Sequence, residues 1–374
     1  MARFIFNETS YQGRGSRSEI AVEIKKRGYK KVLLVTDQVL NKFKVVEKVE
    51  IILKSAGIEY EIFDNIKANP TIKNCEECLE KLNSTKADVI VAVGGGSVID
   101  TAKCVSIVKN NPEFSDIKKL EGVADTKNKA FPLIACATTC GTAAEVTINY
   151  VITDEENGRK LVCIDPNDIP IVAIIDSELM ESMPGSLIAS TGMDALTHAI
   201  EGLLTKGAND LSDMFHLYAI ELIGKNLKNA VNGDKEALEK MALAQYVAGM
   251  GFSNVGLGLV HGMAHPLGGI FDIPHGVANA LLLPYVLEYN ESICEDKYKV
   301  ISKLMGGKGE AKEAIELIKK LSSDIHIPQK LREINIKEND LERLSIDAFN
   351  DVCTGGNPRE TSQNEILEIY KKAF

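Results

Sequence analysis

The chain has 374 residues, 45% apolar and 26% charged, with 43 Lys and Arg against 53 Asp and Glu and a formal charge of −10. That length is too great for one ordinary compact domain and sufficient for two cores, and the acidic balance counts against nucleic acid or an anionic membrane surface as partner, because both would repel it. No apolar run approaches the ~20 residues of a membrane span and the segment Met1–Asn7 holds no secretory leader, so the cytoplasm is the expected compartment.

In chain order, Lys31–Asp37 is a short apolar run ending in an acid, the pattern of a buried parallel strand. An amphipathic helix is expected over 44–56 with Gly57 as its stop, then a strand at 59–63 and a helix over 72–81. Cys75-Glu-Glu-Cys78 on that last helix is formally a CxxC, but it has no second pair and reads as an exposed face. Reduced thiols are the expectation for all eight cysteines. Asp88–Val93 is a strongly apolar strand that runs directly into Gly94-Gly95-Gly96-Ser97 and a helix over 98–109. Strands at 132–135 and 171–175 complete the alternation of an α/β dinucleotide-binding domain with a parallel sheet, assigned to 1–183. From 184 to 374 strand patterns give way to helical periodicity, at 193–203, 210–230, 234–250, 276–290 and 310–322, which predicts an all-α domain.

Three glycines directly after a buried strand allow a ligand to approach the backbone, and Ser97 is expected to cap the following helix, whose free N–H groups favour an anion such as a pyrophosphate. The loop is neither GxGxxG nor a Walker loop. Asp37, at the carboxyl end of its strand, suits ribose hydroxyls and would repel a 2′-phosphate, which favours NAD over NADP. Thr138-Thr139-Cys140-Gly141-Thr142 follows another strand and fits a second phosphate or nicotinamide contact.

Three of the six histidines fall at 261, 265 and 275, and Asp194 and His198 are four apart in a helical pattern, so both project from one face. His261 and His265 are also four apart, and His275 follows a loop with Pro274. Imidazoles with one carboxylate and no thiolate suit Fe²⁺ or Zn²⁺. His216 and His326 lack partners at helical spacing and read as ordinary core or surface residues.

With these segments in view, the chain resembles the iron-containing (group III) alcohol dehydrogenases nearly end to end. The likeness is carried by Gly94–Ser97 with Asp100 and Lys103, Thr138-Thr139 with Gly141-Thr142 and Glu145, Gly192–Glu201, Gly256–Gly268, Pro274–Asn279 and Cys353–Arg359. The resemblance implies hydride exchange between a nicotinamide and a small aldehyde or alcohol at Fe²⁺, with Zn²⁺ as the other metal. It implies Asp194, His198, His261 and His275 as metal ligands, with His265 near the metal as a catalytic, cofactor-side or proton-relay residue rather than a ligand. Cofactor contacts are implied for Asp37, Asn69, Gly95, Gly96, Ser97, Thr138, Thr139, Thr142, Asn149, Lys160 and Leu179, and substrate contacts for Asn149, Phe252 and Cys353. It further implies a homodimer in which the strand near Phe4–Phe6 joins the partner's sheet. Two departures are Cys140, where alanine is usual, and Val98-Ile99, where proline is common. Read from the residues alone, a metal-dependent hydrolase or a non-catalytic nucleotide- or metal-binding protein stays open.

Overall fold

The computed structural model describes residues 2–374, in two compact units: one runs to Thr139 and resumes over Ala143–Ser182, the other comprises Cys140–Thr142 and Met183–Phe374. Among the described residues no single helix is long and apolar enough to cross a membrane.

The first unit is built on a six-stranded parallel sheet: β1 (Thr9–Gln12), β2 (Lys31–Val35), β3 (Glu59–Phe63), β4 (Val89–Gly94), β6 (Leu133–Ala137) and β9 (Val172–Ile175), in the order β1-β9-β6-β4-β2-β3. The helices of this unit are α1 (Glu19–Lys26), α2 (Gln38–Lys42), α3 (Glu47–Ser55), α4 (Ile72–Thr85) and α5 (Gly96–Asn110). Successive strand residues face opposite sides, so the sheet has two cores. Leu33, Val35, Ile90 and Ala92 pack with α4 and α5; Val32, Leu34, Val89 and Val91 pack with Ile20 and Ile24 of α1 and Val49 and Leu53 of α3. The chain passes from β2 outward to β3, then returns to place β4 on the other side of β2. In an open parallel sheet ligands bind at such a switch, beyond the carboxyl ends of the two strands.

Four features of this unit differ from the sequence-based expectation. The helix expected over 44–56 starts only at Glu47, because Lys44 takes φ 59°, a left-handed turn, and an unforeseen short helix, α2, precedes that turn. Ser97 does not cap α5; the extended Gly95 does, and Ser97 lies inside the first turn, its hydroxyl donating to the Ala68 carbonyl. Cys75 and Cys78 are buried rather than exposed, because Ile72, Cys75, Leu79 and Leu82 form the inward stripe of α4 and Cys78 stands on the same side. A second, three-stranded sheet, β5 (Gly122–Val123), β8 (Arg159–Ile164) and β7 (Asn149–Asp154), has β7 and β8 as an antiparallel hairpin. The segment 4–6 is not part of its own chain's sheet, which begins at Thr9.

The second unit is helical: α6 (Gly185–Leu204), α7 (Asp210–Val231), α8 (Lys235–Val255), α9 (Leu259–Phe271), α10 (His275–Leu304), α11 (Ala311–Asp324), α12 (Leu341–Phe349) and α13 (Gln363–Ala373). Close helix approach is set by glycine: a Cβ on Gly276 of α10 would lie 2.5 Å from the Ser190 carbonyl oxygen of α6, and one on Gly192 would lie 2.2 Å from Leu227 of α7.

Candidate active site

In the first unit, the carboxyl ends of β2 and β4 are tied together by the Thr36 hydroxyl, which donates to the Val93 carbonyl at 2.9 Å. Asp37 leaves β2 there and accepts from the Leu40 N–H at 2.9 Å, so one carboxylate oxygen caps α2. Beside it, Gly95 passes so near Thr139 that a Cβ would sit 2.9 Å from its methyl carbon, and the Thr138 N–H donates to the Gly94 carbonyl at 3.0 Å. The start of α5 therefore presents backbone N–H groups at the sheet's switch point, a suitable place for a pyrophosphate.

The remaining cofactor candidates of this unit gather close by. Lys160 of β8 donates to Asn69 Oδ1 at 2.7 Å and to Thr153 Oγ1 at 3.0 Å. The buried Lys103 of α5 donates to the Asn149 carbonyl at 2.7 Å and to Thr147 Oγ1 at 3.0 Å, which pins the start of β7 to the glycine-loop helix. Burial pulls the Lys103 amine down, opposed by Asp168, Asp100 and Glu145, and pushes the Asp100 carboxyl up to about 7. Leu179 stands apart: its side chain lies in the core on one face of the sheet. Thr142 belongs to the second unit.

In the second unit Asp194, His198, His261 and His275 converge, with one ligand atom from each lying within 4.8 Å of all the others. Asp194 and His198 stand one turn apart on α6, His261 lies in the first turn of α9, and His275 opens α10. Burial pulls His198 down and His261 well down, so these imidazoles stay neutral, with lone pairs available. His261 hydrogen-bonds through Nδ1 to Glu201 Oε2 at 2.6 Å, which leaves Nε2 as the acceptor. The Asn279 amide fills the centre: its Nδ2 donates to Asp194 Oδ1 at 2.7 Å and approaches His261 Nε2 at 3.1 Å and His275 Nε2 at 3.0 Å.

Two amide protons cannot serve three acceptors, and the buried His198 Nδ1 and Asn279 Oδ1 have no hydrogen-bond partner. Such a surplus of buried lone pairs calls for a cation. Three imidazoles and one carboxylate without a thiolate suit a borderline divalent metal, so the residues present fit the expected ion.

Around this cluster lie three further expected residues and three to which the sequence assigned no role. Phe252 of α8 stacks on the His198 ring, with centroids 4.2 Å apart and planes at 10°. His265 stacks on His275 at 5.5 Å and hydrogen-bonds through Nδ1 to Asp351 Oδ2 at 2.8 Å, outside the four-residue cluster. Cys353 is half-buried beside Asp351, which accepts the Cys353 N–H at 2.8 Å. Glu201, Asn279 and Asp351 were unforeseen. Glu201 is seven residues from Asp194 and Asn279 four from His275, so helical spacing carried a signal for both; Asp351 follows the end of α12, where no periodicity applies. Glu201 also accepts from the Val260 N–H at 2.6 Å and the His261 N–H at 3.3 Å, so a carboxylate from α6 caps α9 in place of a local side chain. Burial pushes its carboxyl up to about 8, opposed by backbone donors at Gly258, Val260 and His261. The unusual Cys140 is fully buried against the Thr191 hydroxyl at 3.4 Å, and burial pushes its thiol up to about 11. Its neighbour Gly141 lies against α6, where a Cβ would meet the Thr191 carbonyl oxygen at 2.8 Å.

Comparison with known proteins agrees with this architecture. The family model described as iron-containing alcohol dehydrogenase matches residues 7–177, and that described as Fe-containing alcohol dehydrogenase family, C-terminal, matches 188–374. Lactaldehyde reductase of Escherichia coli is 51% identical, with 100% of this chain and 99% of the relative covered. The NADPH-dependent butanol dehydrogenase of Clostridium saccharobutylicum is 39% identical, with 100% and 98% covered. The crystal structure of a 1,3-propanediol oxidoreductase superposes with a TM-score of 0.97 at 40% identity, covering 100% of both chains. With a family model over each unit and relatives matched along the whole length, the chain is an oxidoreductase of the iron-containing alcohol dehydrogenase family.

Proposed function

We propose that this enzyme reduces lactaldehyde to 1,2-propanediol, and catalyses the reverse oxidation, with NADH and a single Fe²⁺ per protomer. The observation that carries the reading is the convergence of Asp194, His198, His261 and His275 in a chain 51% identical to a lactaldehyde reductase. A divalent cation held by these four residues would polarise the carbonyl oxygen while nicotinamide supplies the hydride.

The chain's own residues set the conditions for that exchange. Asp194 contributes the cluster's one carboxylate, and Glu201 fixes the His261 tautomer so that Nε2 turns inward. Phe252 covers the His198 ring and keeps water from that side. His265, with its Nδ1 proton given to Asp351, presents Nε2 to take the alcohol proton in oxidation and return it in reduction. NAD is preferred because the Asp37 carboxylate disfavours a 2′-phosphate, with Asn69, Gly95, Gly96, Ser97, Thr138, Thr139, Thr142, Asn149, Lys160 and Leu179 as the cofactor set. Asn149, Phe252 and Cys353 contact the aldehyde. Eight free cysteines, seven of them buried, support a reducing compartment, the cytoplasm. A homodimer through the segment near Phe4–Phe6 completes the reading, and light scattering of the purified protein tests it.

The catalytic test is anaerobic purification with metal analysis, followed by NADH-coupled assays on lactaldehyde, glycolaldehyde, butanal, 3-hydroxypropanal and dihydroxyacetone. Lactaldehyde should give the highest kcat/KM. A preference for butanal or 3-hydroxypropanal would move the substrate within the family, and full activity after rigorous metal stripping would defeat the metal reading.

A further inference from the structure

Beside the four-residue cluster stands a second constellation. An imidazole nitrogen of His265, a carboxylate oxygen of Asp351 and the thiol sulfur of Cys353 lie within 4.8 Å of one another. Asp351 is doubly restrained, its Oδ2 hydrogen-bonded to His265 Nδ1 at 2.8 Å and its Oδ1 to the Cys353 N–H at 2.8 Å. Two of the three donors are therefore already held in register by the third. A tetrahedral zinc with Zn–N, Zn–O and Zn–S bonds of about 2.0 to 2.3 Å spaces its ligand atoms about 3.3 to 3.8 Å apart, so the 2.8 Å His265–Asp351 pair opens by about 0.5 to 1 Å and any separation at the 4.8 Å limit closes by about 1 Å. Asp351 keeps 11% of its side chain exposed and Cys353 is half-buried.

We propose that His265, Asp351 and Cys353 form a second divalent-cation site, selective for zinc over iron, whose occupation inhibits the enzyme. Its selectivity follows from the thiol, a soft donor that the Asp194 cluster lacks and that favours Zn²⁺. On binding, the cation takes the sulfur and His265 Nδ1 lone pairs: the thiol proton leaves to solvent, the Nδ1 proton moves to Nε2, and no electron is transferred. Inhibition follows because the cation holds His265 and Asp351 together and removes the ring from proton exchange. That part rests on the dehydrogenase reading; the binding part does not.

The test uses the full chain loaded anaerobically with Fe²⁺ and titrated with Co²⁺, whose thiolate complexes give a near-ultraviolet charge-transfer band that imidazole and carboxylate ligands do not. The band should rise to saturation at about one equivalent of Co²⁺ per protomer, vanish on adding Zn²⁺, and be absent in Cys353→Ser and weakened in Asp351→Asn, while both variants keep their Fe²⁺. No band in the wild-type protein, or a band undiminished in Cys353→Ser, overturns the site. Aldehyde reduction should fall at least tenfold as Zn²⁺ fills the site, and full turnover with the site filled overturns its inhibitory role. Loss of the dehydrogenase reading is read separately, as an intact band in a protein that reduces no aldehyde before any Zn²⁺ is added.

Discussion

Gly276→Ala should dismantle the metal cluster without touching a donor atom. Gly276 follows His275 in the first turn of α10, and its added Cβ would stand 2.5 Å from the Ser190 carbonyl oxygen and 2.9 Å from the carbonyl carbon, both backbone atoms of α6. No rotamer can relieve a backbone clash. Reaching ordinary contact, 3.4 Å, requires the two helices to separate by about 0.9 Å (3.4 − 2.5). Ser190 is one turn before Asp194, so the displacement pulls Asp194 and His275 apart, where metal–ligand distances tolerate about 0.2 Å. We expect metal affinity to fall by about 100-fold and stability by about 1–3 kcal/mol, the usual cost of overpacking. Chelator competition followed by metal analysis reads the first, and thermal unfolding of the metal-free protein reads the second. Gly355→Ala is the control, because a Cβ there meets nothing within 4 Å. Wild-type metal retention by Gly276→Ala, with an unchanged Tm, would falsify the argument that the α6–α10 approach sets the cluster.

The other expectations can be checked individually. Glu201→Gln places an amide N–H against the donors of α9 and releases the His261 tautomer, so metal affinity should drop about 10- to 100-fold by chelator competition; unchanged affinity would show that the capping carboxylate does not support the cluster. Asp37→Asn keeps an oxygen to cap α2 but loses the charge, so the ratio of kcat/KM for NADH over NADPH should fall by about tenfold or more in stopped-flow assays. His216, packed between Gly202 and Gly251 with neither ring nitrogen partnered, is pulled down to about 3 by burial, with Lys297 and His198 adding repulsion. The unfolded chain protonates it near 6.5 and the folded chain only near 3, so it subtracts stability as pH falls below 6.5, about 1.4 kcal/mol per pH unit. Urea titrations at pH 7 and 5 should show His216→Leu losing about 2 kcal/mol less than wild type over that interval, and equal losses would mean that the ring takes up its proton without unfolding.

Much of this was legible locally. The run Asp88–Val93 into three glycines marked β4 and α5 because a buried parallel strand and a tight turn each leave a short, contiguous signature. The pairs at 194/198 and 261/265 were visible because helical spacing alone puts them on one face. The β7–β8 hairpin was missed although Asn157-Gly158, with Gly158 at φ 61°, is a hairpin turn signal; the alternating, half-buried strands around it are weaker than the apolar runs of the main sheet. Lys44 turning left-handed ahead of α3, and Gly95 rather than Ser97 capping α5, are decided by tertiary packing and leave nothing in the local pattern.

The ligand shell is harder to read than the ligands for a reason particular to this cluster. Each expected ligand advertises itself by residue type, whereas Glu201 and Asp351 act on a histidine of another segment, 60 and 86 residues away along the chain. Their contribution is an orientation: each hydrogen-bonds Nδ1, so that His261 and His265 direct Nε2 outward from the carboxylate. Asn279 then shows what that orientation creates. Its two N–H groups stand before three acceptors, on Asp194, His261 and His275, while the neighbouring His198 Nδ1 goes without a donor. Hydrogen bonding cannot balance such a cluster, and a cation can, so the deficit is itself the physical reason that these residues fit a metal better than a polar core.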